Sequence, residues 1–167
     1  MMNYTIRKMK KRDISQVQHV ARTSWHSTYE GIIPLEIQDK FLDVAYSRAN
    51  MKSRLKQSTI FVAEVDRKII GFANYTPVSV DGFVELGALY LYSEYQGYGI
   101  GTAFLREGIE KLGALEIHLN VEKNNTIGTT FYHAKGFEVV SEFDDNFDGH
   151  MLKTVRMVLK VREGKNI

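Results

Sequence analysis

The segment richest in chemical possibility runs Glu85-Leu86-Gly87-Ala88-Leu89-Tyr90-Leu91-Tyr92-Ser93-Glu94-Tyr95-Gln96-Gly97-Tyr98-Gly99-Ile100-Gly101-Thr102. An apolar strand pattern ends, glycines alternate, and a helical pattern begins. Glycine lets the backbone turn sharply and lets successive N–H groups converge without a Cβ in the way. Such N–H groups, with the positive end of a helix dipole, suit a pyrophosphate. Two familiar phosphate loops do not fit. A P-loop ends in Gly-Lys-Ser/Thr, whereas Gly101 is followed by Thr102-Ala103. A dinucleotide fingerprint spaces its glycines Gly-x-Gly-x-x-Gly at the start of a βαβ unit, whereas Gly97-x-Gly99-x-Gly101 lies past mid-chain. Taken alone, the loop also reads as an ordinary strand-to-helix turn. Polar and aromatic groups crowd together again at Thr23-Ser24-Trp25-His26-Ser27-Thr28-Tyr29-Glu30. Trp25 and Tyr29 stand four apart and share a helix face. They could cover a cation, or Trp25 could simply anchor its helix in the core. Glu30 is a candidate partner for an ammonium group, and His26 reads as exposed.

These groups need elements to hold them. Tyr4, Ile6 and Lys8 alternate in a short strand, and Asp13 is placed to cap a helix carrying Ile14, Val17, Val20, Ala21 and Trp25. Gly31 ends that helix, and Pro34 opens a second with Leu35, Ile37 and Phe41. A third helix spans about 47–57. Strands are expected at 60–65, 68–75 and 83–92, the first two joined by Asp66-Arg67, a two-residue hairpin loop without the usual glycine. Beyond the glycine loop come a helix at about 102–112, a strand at 115–121, a helix at 126–135 capped by Gly136, and a final hairpin, 137–143 with 151–161. The order predicts one α+β domain around a mixed sheet, spanning 1–167 with a flexible tail at 161–167.

Composition narrows the chemistry. The 167 residues are 44% hydrophobic and 25% charged, which fits a globular chain able to bury roughly 70% of its unfolded surface. Cysteine is absent, which excludes disulfides, thiolate catalysis, iron–sulfur clusters and Cys-based zinc sites. The five histidines show no metal-ligand spacing. A net charge of +2 is too balanced for a nucleic-acid partner, and no apolar run is long enough for a membrane helix. The opening residues lack the apolar stretch of a signal peptide, so a cytoplasmic location is expected.

Downstream of the loop, Asn125 precedes Gly128 by three residues and Tyr132 by seven, and Gly136-Phe137 follows. With Gln96-x-x-Gly99-x-Gly101, this resembles the GNAT superfamily of N-acetyltransferases. That family's phosphate loop reads Gln/Arg-x-x-Gly-x-Gly/Ala, and its second motif Asn-x-x-Ala-x-x-x-Tyr-x-x-x-Gly-Phe. Gly128 departs from the usual alanine and should loosen its helix by roughly 1 kcal/mol. The resemblance implies a GNAT-like fold: a mixed, mostly antiparallel sheet flanked by helices, with two central parallel strands splaying apart in a V. It implies acetyl transfer from acetyl-CoA, a co-substrate, to an amine by direct attack within a ternary complex, with no metal. Gln96, Gly97, Tyr98, Gly99, Ile100, Gly101 and Thr102 would hold the pyrophosphate. The strand edge at Leu89 and Leu91 would pair with the pantetheine arm, and Asn125 would bond that arm or cap its own helix. A backbone N–H near Leu91 would polarise the thioester carbonyl. Tyr132 matches the family's acid for the departing thiolate, and Glu85 stands where some members place a base. Their plain alternatives are a packed helix aromatic and a solvated strand-end carboxylate.

The first two helices would build the acceptor pocket, with Trp25, Tyr29 and Glu30 against the substrate. The expected acceptor is a small-molecule primary amine, such as a polyamine or amino acid. Acetylation of a protein N-terminus or lysine, and a non-catalytic acyl-CoA-binding module, are the alternatives. A homodimer is left open. Glu30, Glu85, Asp144, Asp145 and Asp148 could together flank the cleft and attract a cationic amine; alternatively, 144–149 is an exposed turn.

Overall fold

The structure, a computed structural model, describes residues 2–162 and Ile167. Among the described residues seven strands, β1 (Thr5–Lys8), β2 (Thr59–Val65), β3 (Lys68–Tyr75), β4 (Phe83–Leu91), β5 (Glu116–Glu122), β6 (Glu138–Phe147) and β7 (His150–Lys160), form one sheet. Their order is β1-β2-β3-β4-β5-β7-β6. Every neighbouring pair is antiparallel except β4 and β5. The helices are α1 (Ile14–Tyr29), α2 (Leu35–Ala45), α3 (Arg48–Gln57), α4 (Ile100–Leu112) and α5 (Thr126–Ala134). The mixed α+β sheet expected from the sequence is therefore present. Of the expected tail, residues 163–166 lie outside the described residues.

The apolar periodicity does its expected work. Ile14, Val17, Val20 and Ala21 of α1 are fully buried, as are Phe104 and Leu105 of α4. The Tyr75 hydroxyl donates to the Phe104 carbonyl at 3.0 Å, locking α4 onto β3. Close approach there requires Gly108, since a Cβ would lie 2.5 Å from the Tyr75 ring. Between Asn74↔Ala88 and Tyr75↔Leu86 the register shifts, leaving Gly87 as the extra residue of a bulge in β4.

Two local readings change, and a third is explained. Asp13 does not cap α1 with its side chain. Instead its carboxylate, almost wholly buried, accepts from Arg7 at 2.8 and 3.1 Å and from the Lys10 N–H at 2.8 Å. Burial pushes the Asp13 carboxyl up, and the Arg7 and Lys10 donors outweigh it and hold it below its ordinary value. Asp66 and Arg67 both take positive φ, 49° and 67°, which supplies the tight hairpin without glycine. The last hairpin is longer than its apolar pattern suggests. Asp144, Asp145 and Asn146 continue β6, and only Asp148-Gly149 turns.

Gly108→Ala should destabilise the fold by about 1–3 kcal/mol through overpacking, although alanine favours helices. Thermal unfolding should register a fall of roughly 2–10 °C in Tm; an unchanged Tm would mean that α4 and β3 are less closely apposed.

Candidate active site

The parallel pairing of β4 with β5 lasts for only three registers, Phe83↔Glu116, Val84↔Ile117 and Glu85↔His118. Beyond them the strands part. The Tyr92 N–H bonds the Ile70 carbonyl of β3 at 3.1 Å. Main-chain groups alternate sides along a strand, so the N–H groups of Leu89 and Leu91 point to the unpaired edge. A cavity of about 650 Å³ occupies the gap, walled by α1, β4, the glycine loop, β5 and α5.

An ion pair sits at the last paired register. Arg156 of β7 donates to both Glu85 oxygens, at 2.9 and 2.8 Å, and to the Asn120 Oδ1 at 2.9 Å. The loop forms the opposite end. Gly97 and Gly99 have φ of 85° and 83°, and a Cβ on either would project into open space. Left-handed backbone and a clear approach to the N–H groups are thus both met by glycine. Gly101 serves a different need. A Cβ there would lie 2.9 Å from the Phe131 ring, so the glycine lets α4 meet α5.

On α5, the Asn125 Oδ1 accepts the Gly128 N–H at 3.0 Å and caps the helix. A Cβ at Gly128 would lie 2.7 Å from the Asn125 Nδ2, so the glycine makes room for the cap. Tyr132 packs edge-on against Phe131 and Phe137, each centroid 5.3 Å away. Burial raises its pKa, and nearby Tyr29 adds to the shift. Burial likewise raises Tyr29 and Tyr90, which also face the cavity. All three phenols stay protonated at neutral pH.

Of the sequence-derived site residues, Tyr29, Leu89, Leu91, Gln96, Gly97, Gly99, Ile100, Gly101, Thr102, Asn125 and Tyr132 line this one cavity. Four do not. Tyr98 of the loop is 53% exposed on the outside. Glu30 is exposed beyond the end of α1. Trp25 is a core residue, 8% exposed and stacked on Phe41 with centroids 4.7 Å apart. Glu85 is not part of the lining, and Arg156 holds both of its oxygens. None of the hairpin acids lines the cavity, and two of them are paired: Asp144 with Lys153 at 3.4 Å and Asp148 with Lys40 at 3.3 Å.

Residues 3–137 match the model of the acetyltransferase (GNAT) family. The chain belongs to the GNAT family. A spermidine N(1)-acetyltransferase of Thermoplasma acidophilum is 33% identical over 147 residues, covering 83% of this chain and 90% of that protein. An uncharacterised N-acetyltransferase of Bacillus subtilis is 36% identical over 163 residues, 90% of each chain. The crystal structure of the PaiA N-acetyltransferase of T. acidophilum, in complex with coenzyme A, superposes with a TM-score of 0.81. That match has 30% identity and covers 96% of this chain and all of the other. A Salmonella typhimurium acetyltransferase with acetyl-CoA shares the fold, at a TM-score of 0.67, 19% identity and near-complete cover of both chains.

This GNAT enzyme has the features a CoA thioester would need: a glycine cradle open above its N–H groups, an unpaired strand edge and a cavity between them. The motifs did not point to Tyr90, Asn120 or Asn124, which also line the wall. Their signal in the sequence is faint: polar groups alternating with Leu89, Leu91, Leu119 and Val121. Among the described residues no Asp, Glu or His lines the cavity.

The raised phenols make a prediction. Their neutral form is favoured by the fold, so this contribution to stability is complete below pH 10 and declines as pH rises above it. Ultraviolet titration of the nine tyrosines should show several still un-ionised at pH 11 while the protein remains folded. Ionisation of all nine before unfolding would contradict the burial.

Proposed function

We propose that the chain moves the acetyl group of acetyl-CoA to a primary amine of a small, polyamine-type acceptor, by direct attack in a ternary complex. The observation that carries this reading is the convergence on one cavity of the open β4 edge, the glycine loop and Tyr132. The name of the Thermoplasma relative supports the acceptor class.

In this reading the N–H groups of residues 97–102 hold the pyrophosphate of the co-substrate, helped by the α4 dipole. Leu89 and Leu91 pair with the pantetheine arm as an added strand would, and Asn125 fixes the turn beside it. A main-chain N–H near Leu91 steadies the developing oxyanion of the thioester carbonyl. The amine nitrogen bonds to that carbon, the C–S bond breaks, and Tyr132 gives its proton to the departing sulfur. Burial that weakens Tyr132 as an acid also penalises the thiolate, so donor and acceptor shift together. In this reading Glu85 does not serve as base, because Arg156 occupies both of its oxygens. Water at the cavity mouth takes the amine proton.

Thiol release should be measured with polyamines, amino acids and aminoglycosides as acceptors. A small amine should be turned over, and Tyr132→Phe should lower kcat by about 10²–10⁴-fold with acetyl-CoA affinity nearly unchanged. Wild-type turnover in that variant would remove Tyr132 from the chemistry. Acetyl-CoA binding without turnover of any amine would favour a binding module, and turnover of peptides alone a protein acetyltransferase.

A further inference from the structure

The cavity wall holds no carboxylate among the described residues, yet one is buried just behind it. Glu122, the last residue of β5, is 6% exposed. It lies on the same strand face as Asn120, two residues away. Its Oε2 accepts the Asn124 N–H at 2.5 Å and its Oε1 the Asn124 Nδ2 at 3.4 Å, and Asn124 is part of the wall.

A buried carboxylate ordinarily has a cation beside it, because desolvating an unpaired charge is costly. Glu122 has none among the described residues. The cations on neighbouring positions are committed elsewhere: Lys123 to Glu142 at 2.9 Å, Lys153 to Asp144 and Arg156 to Glu85. Across the strand pair stands Thr154, which is neutral. Glu85 and Asp144 are thus compensated, and Glu122 is the buried charge that is not.

We infer that Glu122 is the specificity-determining residue for a cationic acceptor. Resting on the acetyltransferase reading above, this adds the acceptor's charge: a diamine or polyamine, one nitrogen reacting while another remains ammonium. Glu122 acts through its field across the Asn124 wall, and its hydrogen bonds hold Asn124 in place. The missing countercharge is supplied by the substrate.

The test compares 1,4-diaminobutane with 4-amino-1-butanol, which have equal length and differ by one ammonium. Wild type should favour the diamine by about tenfold or more in kcat/KM, mostly through KM. Glu122→Gln keeps an acceptor oxygen for Asn124 and should bring that preference close to one. Glu122→Asp should retain part of it. Calorimetric binding of acetyl-CoA establishes that each variant is folded, and Glu122→Asp carries the comparison if the glutamine variant is not. Equal use of both amines by wild type, or full diamine preference in folded Glu122→Gln, overturns the inference alone. Acetyl-CoA binding with neither amine acetylated overturns the proposed small-amine function, and this inference with it.

Discussion

Two parallel strands that part company leave main-chain N–H and C=O groups along both inner edges, and each left buried and unpaired costs about 1–3 kcal/mol. In this protein β4 and β5 are paired through Glu85 and His118 and separate immediately beyond. That separation sets the positions of everything else. It opens the cavity, exposes the Leu89 and Leu91 main chain, and brings that edge and the glycine loop onto one cavity. In the proposed function a peptide-like pantetheine would satisfy such an edge with amide groups of its own. The Gly87 bulge lies within the diverging stretch, and the Glu85–Arg156–Asn120 contacts tie β4, β5 and β7 together at the point of divergence.

Electrostatics inside the gap follow from what has been kept out. The ionisable wall residues are three half-buried tyrosines and Lys135, with no group among the described residues whose ordinary pKa would make it a base at neutral pH. A phenol held neutral is a proton donor, which is the demand made by a leaving thiolate. Carboxylates remain close by, but each has a definite place. Glu85 fastens strands through Arg156, Asp144 and Asp148 pair with lysines at the hairpin, and Glu122 braces Asn124. The aromatic cluster of Trp25, Tyr29, Phe41 and Phe147 stiffens the join between α1, α2 and the last hairpin, and only Tyr29 of these faces the cavity.

Local rules in the sequence carried much of this. The alternating glycines located the loop, the 3.6-residue apolar period located α1 and α4, and the Asn125-to-Tyr132 spacing located α5. What local rules could not carry were partnerships across long separations. Arg7, which takes Asp13 from its helix, is itself held by Glu64 57 residues away, and 71 residues separate Glu85 from the arginine that occupies it. Trp25 and Tyr29 share a helix turn, but which one meets the core and which the cavity depends on Phe41 and Phe147. Glu122 gave no signal at all, since its importance lies in the absence of a neighbouring cation. Glycine at 128, an apparent weakness in a helix, leaves the Asn125 amide space that a Cβ would narrow to 2.7 Å.

The central claim is that the separated β4 edge and the glycine loop form one continuous binding surface for acetyl-CoA. Amide hydrogen exchange, followed residue by residue with and without acetyl-CoA, tests it most directly. Strong slowing is expected at Leu89 and Leu91 together with residues 97–102, and little change along β1, β2 and β6. Slowing confined to the loop, with the Leu89 and Leu91 amides still exchanging as in the free protein, would contradict it.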